Sequence, residues 1–541
     1  MAERPRRRPR MTGWYDPAVM AQSASMMFMA NIFGRHSDTR LIEALGSQPQ
    51  GSFDYSGRSG DFWIDYVADL GDGWNPTCAI AAAVAQDGPL DTRRGEVLVF
   101  GGDEVYPYPT RDAYAQRTEA PYAAAFAGVA PRPDVFAIPG NHDWFDSLVA
   151  FSRTFCRSER GFAGCATRQT RSYFALHLPR DWWLMGVDLQ LGADFDEPQI
   201  RYFQGVAAQM SAQANVILCV PEPHWIYESS YSWYQSYGAR TLDQFASQIL
   251  RHPVRLLLTG DLHLYMRHAN AEGVQKVVCG GGGAFLHPTH KPDVSRLNDG
   301  FTQQAAYPDA AQSARLAWKN LGFPWRNPRG CVLPGAVYAL SAWFASSRLN
   351  LADIDTFPRA LASALRVAVR DPVPGLWLMA VIAAIVFFTD THSRPYRWIG
   401  GGLHAVAHLT AALALAWLSV RFTVDVLGMD YGQPLQMLLS GALTFLGGAL
   451  AGGFIIGLYL LVSINVFGRH NNEAFSSLRI QDYKQWLRLR IGADGVLTAW
   501  AIAIDRVPRR WREEADGRCV ADDPRATSPR VVDAFSVRPR T

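Results

Sequence analysis

Cysteine is scarce in this chain, with seven in 541 residues. They are scattered at Cys78, Cys156, Cys165, Cys219, Cys279, Cys331 and Cys519, with no CxxC pair. That excludes a disulfide framework, and an odd, sparse set suits a reducing compartment. Only Cys156 and Cys165, bracketing RSERGFAG, stand near enough for a local bridge, and they are expected to stay free. Net charge is small too, at +3, which argues against a strongly electrostatic nucleic-acid binder. The one local exception, RPRRRPR near the start, reads as a solvated tail, with contact to anionic lipid as the alternative. No secretory leader is expected either. The apolar stretch AVMAQSASMMFMANIFG carries Gln22, Ser23, Ser25 and Asn31 and reads better as an amphipathic helix.

What is present up to about Lys319 is the pattern of an α/β protein: short β-rich apolar runs separated by polar and helical stretches. Four of these runs, EVLVFGGD, DVFAIPGNHD, NVILCVPEPH and VRLLLTGDLH, end on Gly, Asp, Asn or His. Loops beyond strand ends carry chemistry in such sheets, so the four endings point to one crowded site.

Past Leu365 long apolar runs without carboxylates take over: GLWLMAVIAAIVFF, GGLHAVAHLTAALALAWLSV and a third from Pro434 to Gly468. The second is long enough for a hydrocarbon core about 30 Å thick, and the first is so if Val373 and Pro374 lead into it. The third run exceeds one ordinary span, and Gly447, Gly448, Gly452 and Gly453 lie inside it. It is either one long tilted helix or two short ones meeting at glycine. Arg366 and Arg370 precede the first run, and Arg469, Arg479, Lys484, Arg488 and Arg490 follow the last. The positive-inside bias then predicts both flanks in the cytoplasm and an even number of crossings; four are expected, with the glycine-rich run counted twice. VLPGAVYALSAWFA is a weaker membrane-surface candidate.

The strand ends supply ADLGDG (Asp69, Gly71), GGDEVYP (Asp103, Tyr106), GNHDW (Asn141, His142, Asp143), PEPHW (His224) and GDLH (Asp261, His263). In this order they resemble the calcineurin-like metallophosphoesterases, and D-x-G followed by G-D-x-x-Y resembles the purple acid phosphatase variant. The resemblance covers roughly residues 60 to 290. It implies an α/β fold: a four-layer β-sandwich flanked by helices, here followed by a transmembrane helical region and a small cytoplasmic tail. It also implies two metal ions at the strand ends, with Asp103 bridging them, Asp69, Tyr106 and His263 completing the first site, and Asn141, His224 and Asp261 the second. Two cations would neutralise a phosphate ester and activate a water for in-line attack on phosphorus. His142 would stabilise the transferring group or protonate the leaving oxygen, with Asp143 orienting its ring.

Two departures from the family pattern stand out. Gly71 replaces the histidine of D-x-H, and Asp261 replaces the first histidine of G-H-x-H, where a turn cap is its other reading. The donor set becomes oxygen-rich, favouring iron or manganese, with zinc allowed. His287 and His290 after the glycine run, and His404 and His408 at i and i+4 in the second apolar run, carry blander readings as loop and interface residues.

These readings divide the chain into an N-terminal basic and amphipathic segment (1–50), a catalytic domain (51–330), a linker or membrane-surface segment (331–372), about four transmembrane helices (373–468) and a C-terminal cytoplasmic domain or tail (469–541). The implied function is a dimetal phosphohydrolase anchored in a bacterial inner or plasma membrane with its catalytic domain in the cytoplasm. Its partner would be a phosphorylated substrate, with a lipid head group among the options. The alternative is a signalling or scaffold protein that binds a phosphorylated ligand without turning it over.

Overall fold

In the strand Phe62–Val67 successive side chains alternate between two different cores, as a period of two demands. Ile64 and Tyr66 enter an apolar layer shared with Ile217, Leu256 and Val277; Val67 joins the opposite layer with Ile80 and Phe100. This two-sided burial makes Phe62–Val67 an interior strand. The computed structural model describes residues 8–33, 50–157, 159–189, 195–230, 237–389, 393–523 and 528–540. Most of the basic run at the start lies outside them.

Two sheets face each other. One has the order Arg530–Val537, Leu497–Ile504, Lys484–Ile491, Phe62–Val67, Val97–Phe100, Asp134–Ala137, Ala166–Thr167. The other has the order Phe53–Asp54, Phe174–Leu178, Trp182–Gly186, Asn215–Cys219, Val254–Thr259, Gln275–Cys279, Tyr265–Ala269, Thr302–Tyr307. Their facing side chains form one core, and helices cover the outer face of each sheet through two further cores. Phe62–Val67, Val97–Phe100 and Asp134–Ala137 run parallel, as do Asn215–Cys219, Val254–Thr259 and Gln275–Cys279. The segments after their carboxyl ends hold Asp69, Asp103, Tyr106, Asn141, His142, Asp143, His224, Asp261 and His263.

The division at residue 469 does not hold. Lys484–Ile491 pairs antiparallel with Phe62–Val67, Leu487 opposite Tyr66 and Leu489 opposite Ile64. The chain forms two compact units, one of Met1–Thr12, Ala21–Ser313 and Arg479–Thr541, the other of Gly13–Met20 and Ala314–Leu478. The apolar helices are therefore an insertion into the α/β unit, and the C-terminal residues are its strands. A buried ion pair locks the closure. Arg488 and Asp65, 0% and 1% exposed, bond through Nε–Oδ1 at 2.7 Å and Nη2–Oδ2 at 3.1 Å. The arginine also donates to the Val84 and Gln86 carbonyls, and Asp65 accepts from Trp486 and from the Gly95 amide.

Among the described residues of the second unit, two helices are long and apolar enough to cross a membrane: Arg394–Arg421 with its continuation to Val426, and Pro434–Phe467. The glycine-rich run is one helix of 34 residues, not two spans. Its glycines make room for a neighbour instead of a break. A Cβ on Gly448 would stand 2.7 Å from Tyr338 and one on Gly452 2.6 Å from Pro334, so the Val332–Ser346 helix packs along a small-residue stripe. Phe357–Arg370 and Pro372–Phe388 meet at 105°.

The arginine bias loses its direction here. Arg348 pairs with Asp371, just past Arg370, and Arg421 donates to Ala352, while Phe388 stacks on His470 beside Arg469. Arg366 and Arg370 thus lie towards one end of the bundle and Arg469 at the other.

The Arg488→Leu variant should lose about 3–5 kcal/mol of stability, because Asp65 is left charged and buried without its partner. Asp65→Leu combined with Arg488→Leu should lose less than Arg488→Leu alone. Denaturant unfolding followed by tryptophan fluorescence reads both.

Candidate metal centre

Three aspartates follow directly on strand ends, and all three adopt the left-handed backbone: Asp69 at φ 58°, Asp103 at 54° and Asp261 at 66°. A non-glycine residue there is strained and persists only where its surroundings demand it. The demand is visible. The Asp69 amide is bonded to the Gly102 carbonyl at 3.0 Å, the Asp261 amide to Asp69 Oδ1 at 3.1 Å, and the His142 amide to Asp103 Oδ1 at 2.9 Å. The loops thereby aim their carboxylates at one another.

At the focus stands the Tyr106 hydroxyl. It lies 2.9 Å from Asp69 Oδ1, 2.8 Å from Asp103 Oδ2 and 3.0 Å from His263 Nε2. His263 Nδ1 is bonded to the Phe285 carbonyl at 2.7 Å, which orients the ring and leaves Nε2 facing the cluster. His287, set aside above as a loop residue, stacks on His263 at 4.1 Å, and its Nδ1 accepts from the His263 amide.

The second group is gathered less closely. The Tyr227 hydroxyl bonds to the Asp261 carboxylate, and His224 Nδ1 lies 3.9 Å from Glu222. Asn141 Oδ1 is buried without a partner among the described residues. His142 bonds through Nδ1 to the Pro107 carbonyl at 2.8 Å. The expectation that Asp143 orients that ring is corrected: Asp143 accepts from the Tyr114 hydroxyl and from the amides of Gly140 and Glu104. It ties the GNHD loop to the GDEVY loop instead.

Electrostatics follow from packing three carboxylates into a dry pocket. Burial, then the neighbouring charge of Asp143, pushes Asp103 up to about 7. Desolvation, then Asp103, raises Asp261 to about 7. Asp69 is raised well above the carboxylate range by burial, Asp103 and Asp261. Burial lowers His224 to about 4 and holds His263 and His142 below the usual imidazole value. Such rings are neutral and ready to donate a lone pair, while the carboxylates hold protons that a cation would displace.

Among the described residues no three of His, Cys, Asp or Glu converge on a single point close enough to hold an ion. Tyrosine changes the count. Ligands about 2.0–2.1 Å from one octahedral ion lie roughly 2.9 Å apart along its edges, and the Tyr106 hydroxyl keeps that spacing to Asp69, Asp103 and His263. Asp69 Oδ2 is fully buried without a hydrogen-bond partner among the described residues. The first donor set is gathered on one hydroxyl. In the second, Asp261 is engaged by Tyr227.

The sequence reading missed Glu222 and Tyr227, set His287 aside, and missed an element that reaches the site from far along the chain. The Lys484 ammonium donates to the Ala284 carbonyl, the Gln485 amide bonds to Gly281 and the Leu286 amide to Ile480. Residues 480–485 thus grip the glycine loop, whose Ala284 amide bonds to the Asp69 carbonyl. PEPHW already carried Glu222; Tyr227 and residues 480–485 had no local signal.

No protein-family model and no curated protein matches the chain. Solved structures do. It is similar to GAP50, the anchor in the inner membrane complex of Plasmodium, at 16% identity and a TM-score of 0.35, over 46% of this chain and 79% of that one. It is similar to PhoD at 11% identity and a TM-score of 0.33, over 48% and 63%. A purple acid phosphatase from yellow lupin (Lupinus luteus) seeds aligns at 15% identity and a TM-score of 0.30, over 47% and 49%.

In metal-free protein the raised carboxyls make stability fall as pH rises. Unfolded aspartates ionise near pH 4, whereas folded Asp103 and Asp261 hold their protons to about pH 7. Across that window each costs up to about 1.4 kcal/mol per pH unit. Chelator-treated protein should therefore unfold at lower denaturant at pH 8 than at pH 5, and Asp261→Asn should flatten the difference.

Proposed function

We propose that the chain is a membrane-anchored, metal-dependent phosphohydrolase acting on phosphate esters. The observation that carries this reading is the Tyr106 hydroxyl held at 2.8–3.0 Å from Asp69, Asp103 and His263, with donors supplied by both facing sheets. Asp69, Asp103, Tyr106 and His263 would hold a first ion, and Asn141, His224 and Asp261 a second, with Asp103 shared. The oxygen-rich set favours iron or manganese over zinc alone. Bound cations would neutralise the ester and polarise its phosphoryl oxygens.

The chain's own residues prepare the rest. The loops fix three carboxylates before any ligand arrives, so little reorganisation accompanies binding. His142, anchored through Nδ1 to Pro107, keeps Nε2 as the atom that exchanges a proton with the leaving oxygen. Asp103→Asn should abolish both metal content and hydrolysis of aryl and bis-aryl phosphates. His142→Ala should keep the metal and lower kcat by about 10²–10⁴-fold. Metal bound by the wild type with no turnover of either ester would overturn the enzymatic reading.

The insertion is proposed to cross a bilayer. Strands before and after it pair in one sheet, so a chain that leaves through a membrane must return, and the crossings are two or four but not three. Cysteines introduced at Glu272 and Gly517 should then show the same reactivity to an impermeant reagent in sealed vesicles. Opposite reactivity would overturn the proposal.

A further inference from the structure

Apart from the candidate centre, the α/β unit carries a cleft of about 570 Å³ lined by Arg111, Arg153, Arg157, Glu159 and Arg160. Two segments build it. Arg111 opens the helical stretch that follows the GDEVYP loop, where the Thr110 hydroxyl accepts from the Ala113 amide at 3.1 Å. Arg153 stands on the helix Val149–Phe155, which follows the GNHDW loop and turns Phe151, Thr154 and Phe155 into the interior. That one-sided burial leaves Arg153 on the exposed face, and Arg157 lies just past the end of the same helix.

Charge in the cleft is not balanced from within. Arg160 is paired with Glu119 at 3.0 Å. Asp146, which feels the charge of Arg153, gives its two oxygens to the amides of Val149 and Ala150, each at 3.0 Å. Among the described residues, no hydrogen bond or ion pair holds the guanidinium of Arg111, Arg153 or Arg157, and Glu159 is the one carboxylate lining the cleft. Like charges gathered on a concave surface repel one another and focus a positive potential into the space they enclose. An entering anion relieves that repulsion.

We propose that this cleft is a second binding site, separate from the candidate metal centre, for a compact soluble anion carrying two or more phosphate groups. Guanidiniums grip phosphate oxygens in bonded pairs, and arginines arriving from two segments suit two phosphate groups better than one. The volume lies within the range of small-molecule pockets. No aromatic or aliphatic residue is among the described residues lining the cleft, so a nucleobase has nothing to stack on and an acyl chain nothing to lie against. Bound there, the anion ties together the segments that follow Tyr106 and His142.

Inorganic pyrophosphate is the ligand for the test. The full chain is treated with chelator, so that the candidate centre offers pyrophosphate no cation, and binding is followed by titration calorimetry at low and high salt. Wild type should bind pyrophosphate about tenfold more tightly than inorganic phosphate, with affinity falling as salt rises. Arg153→Gln combined with Arg157→Gln should weaken pyrophosphate by about tenfold or more, since each change removes a charge-assisted contact. Arg93→Gln combined with Arg512→Gln takes the same charge from exposed positions outside the cleft and should bind as wild type does. No binding by wild type, unchanged affinity in the cleft variant, or equal loss in both double variants overturns the site. Loss of pyrophosphate in Asp103→Asn with full retention in the cleft variant overturns it too, because the anion would then sit in the candidate centre.

Discussion

The pairing of Lys484–Ile491 with Phe62–Val67 is the constraint on which the α/β unit depends. Without it, Phe62–Val67 is an edge strand with Asp65 buried beside it. With it, Arg488 neutralises that carboxylate, Leu487 and Leu489 fill the layer between the sheets, and residues 480–485 reach the glycine loop that backs Asp69 and His263. The same strand serves the core on one side and the candidate centre at its end.

That centre is built from mutual restraint. The Asp261 and His142 amides bond the carboxylates of Asp69 and Asp103, and the Asp69 amide bonds the Gly102 carbonyl, so no single strand end fixes its own aspartate. The left-handed conformation of Asp69, Asp103 and Asp261 is sustained by this crossing of bonds. Tyr106 gathers the first donors, and Tyr227 holds Asp261 aside.

Much of this was legible because it is local. A β-rich run ending in Gly-Asp or Gly-Asn-His marks a strand end wherever the partners lie, and GGDEVYP, GNHDW and GDLH proclaim their loops within a few residues. What escaped was non-local. Nothing in KQWLRLRI says that its partner lies more than four hundred residues earlier, and its alternating pattern equally suits a separate hairpin. Gly448 and Gly452 read as a break because the helix they accommodate, Val332–Ser346, is itself short. Asp143 follows His142 in sequence, yet the ring bonds to Pro107 and the carboxylate to Tyr114, Gly140 and Glu104. Arg366 and Arg370 precede an apolar run, but a 105° bend and the ion pair of Arg348 with Asp371 decide which end of the bundle they share.

Insertion of the helical unit between Thr302–Tyr307 and Lys484–Ile491 also sets an order of events during synthesis. When the ribosome has made residues up to Ser313, the sheet still ends at Phe62–Val67, with its outer hydrogen-bonding edge bare. All of Ala314–Leu478 must emerge before the missing strands do, a delay on the order of ten seconds at ordinary elongation rates. An open apolar edge is a template for pairing with the wrong chain, so the nascent α/β unit depends on the swift, orderly disposal of its own insertion. Lesions in the apolar helices would then surface as aggregation of the α/β unit.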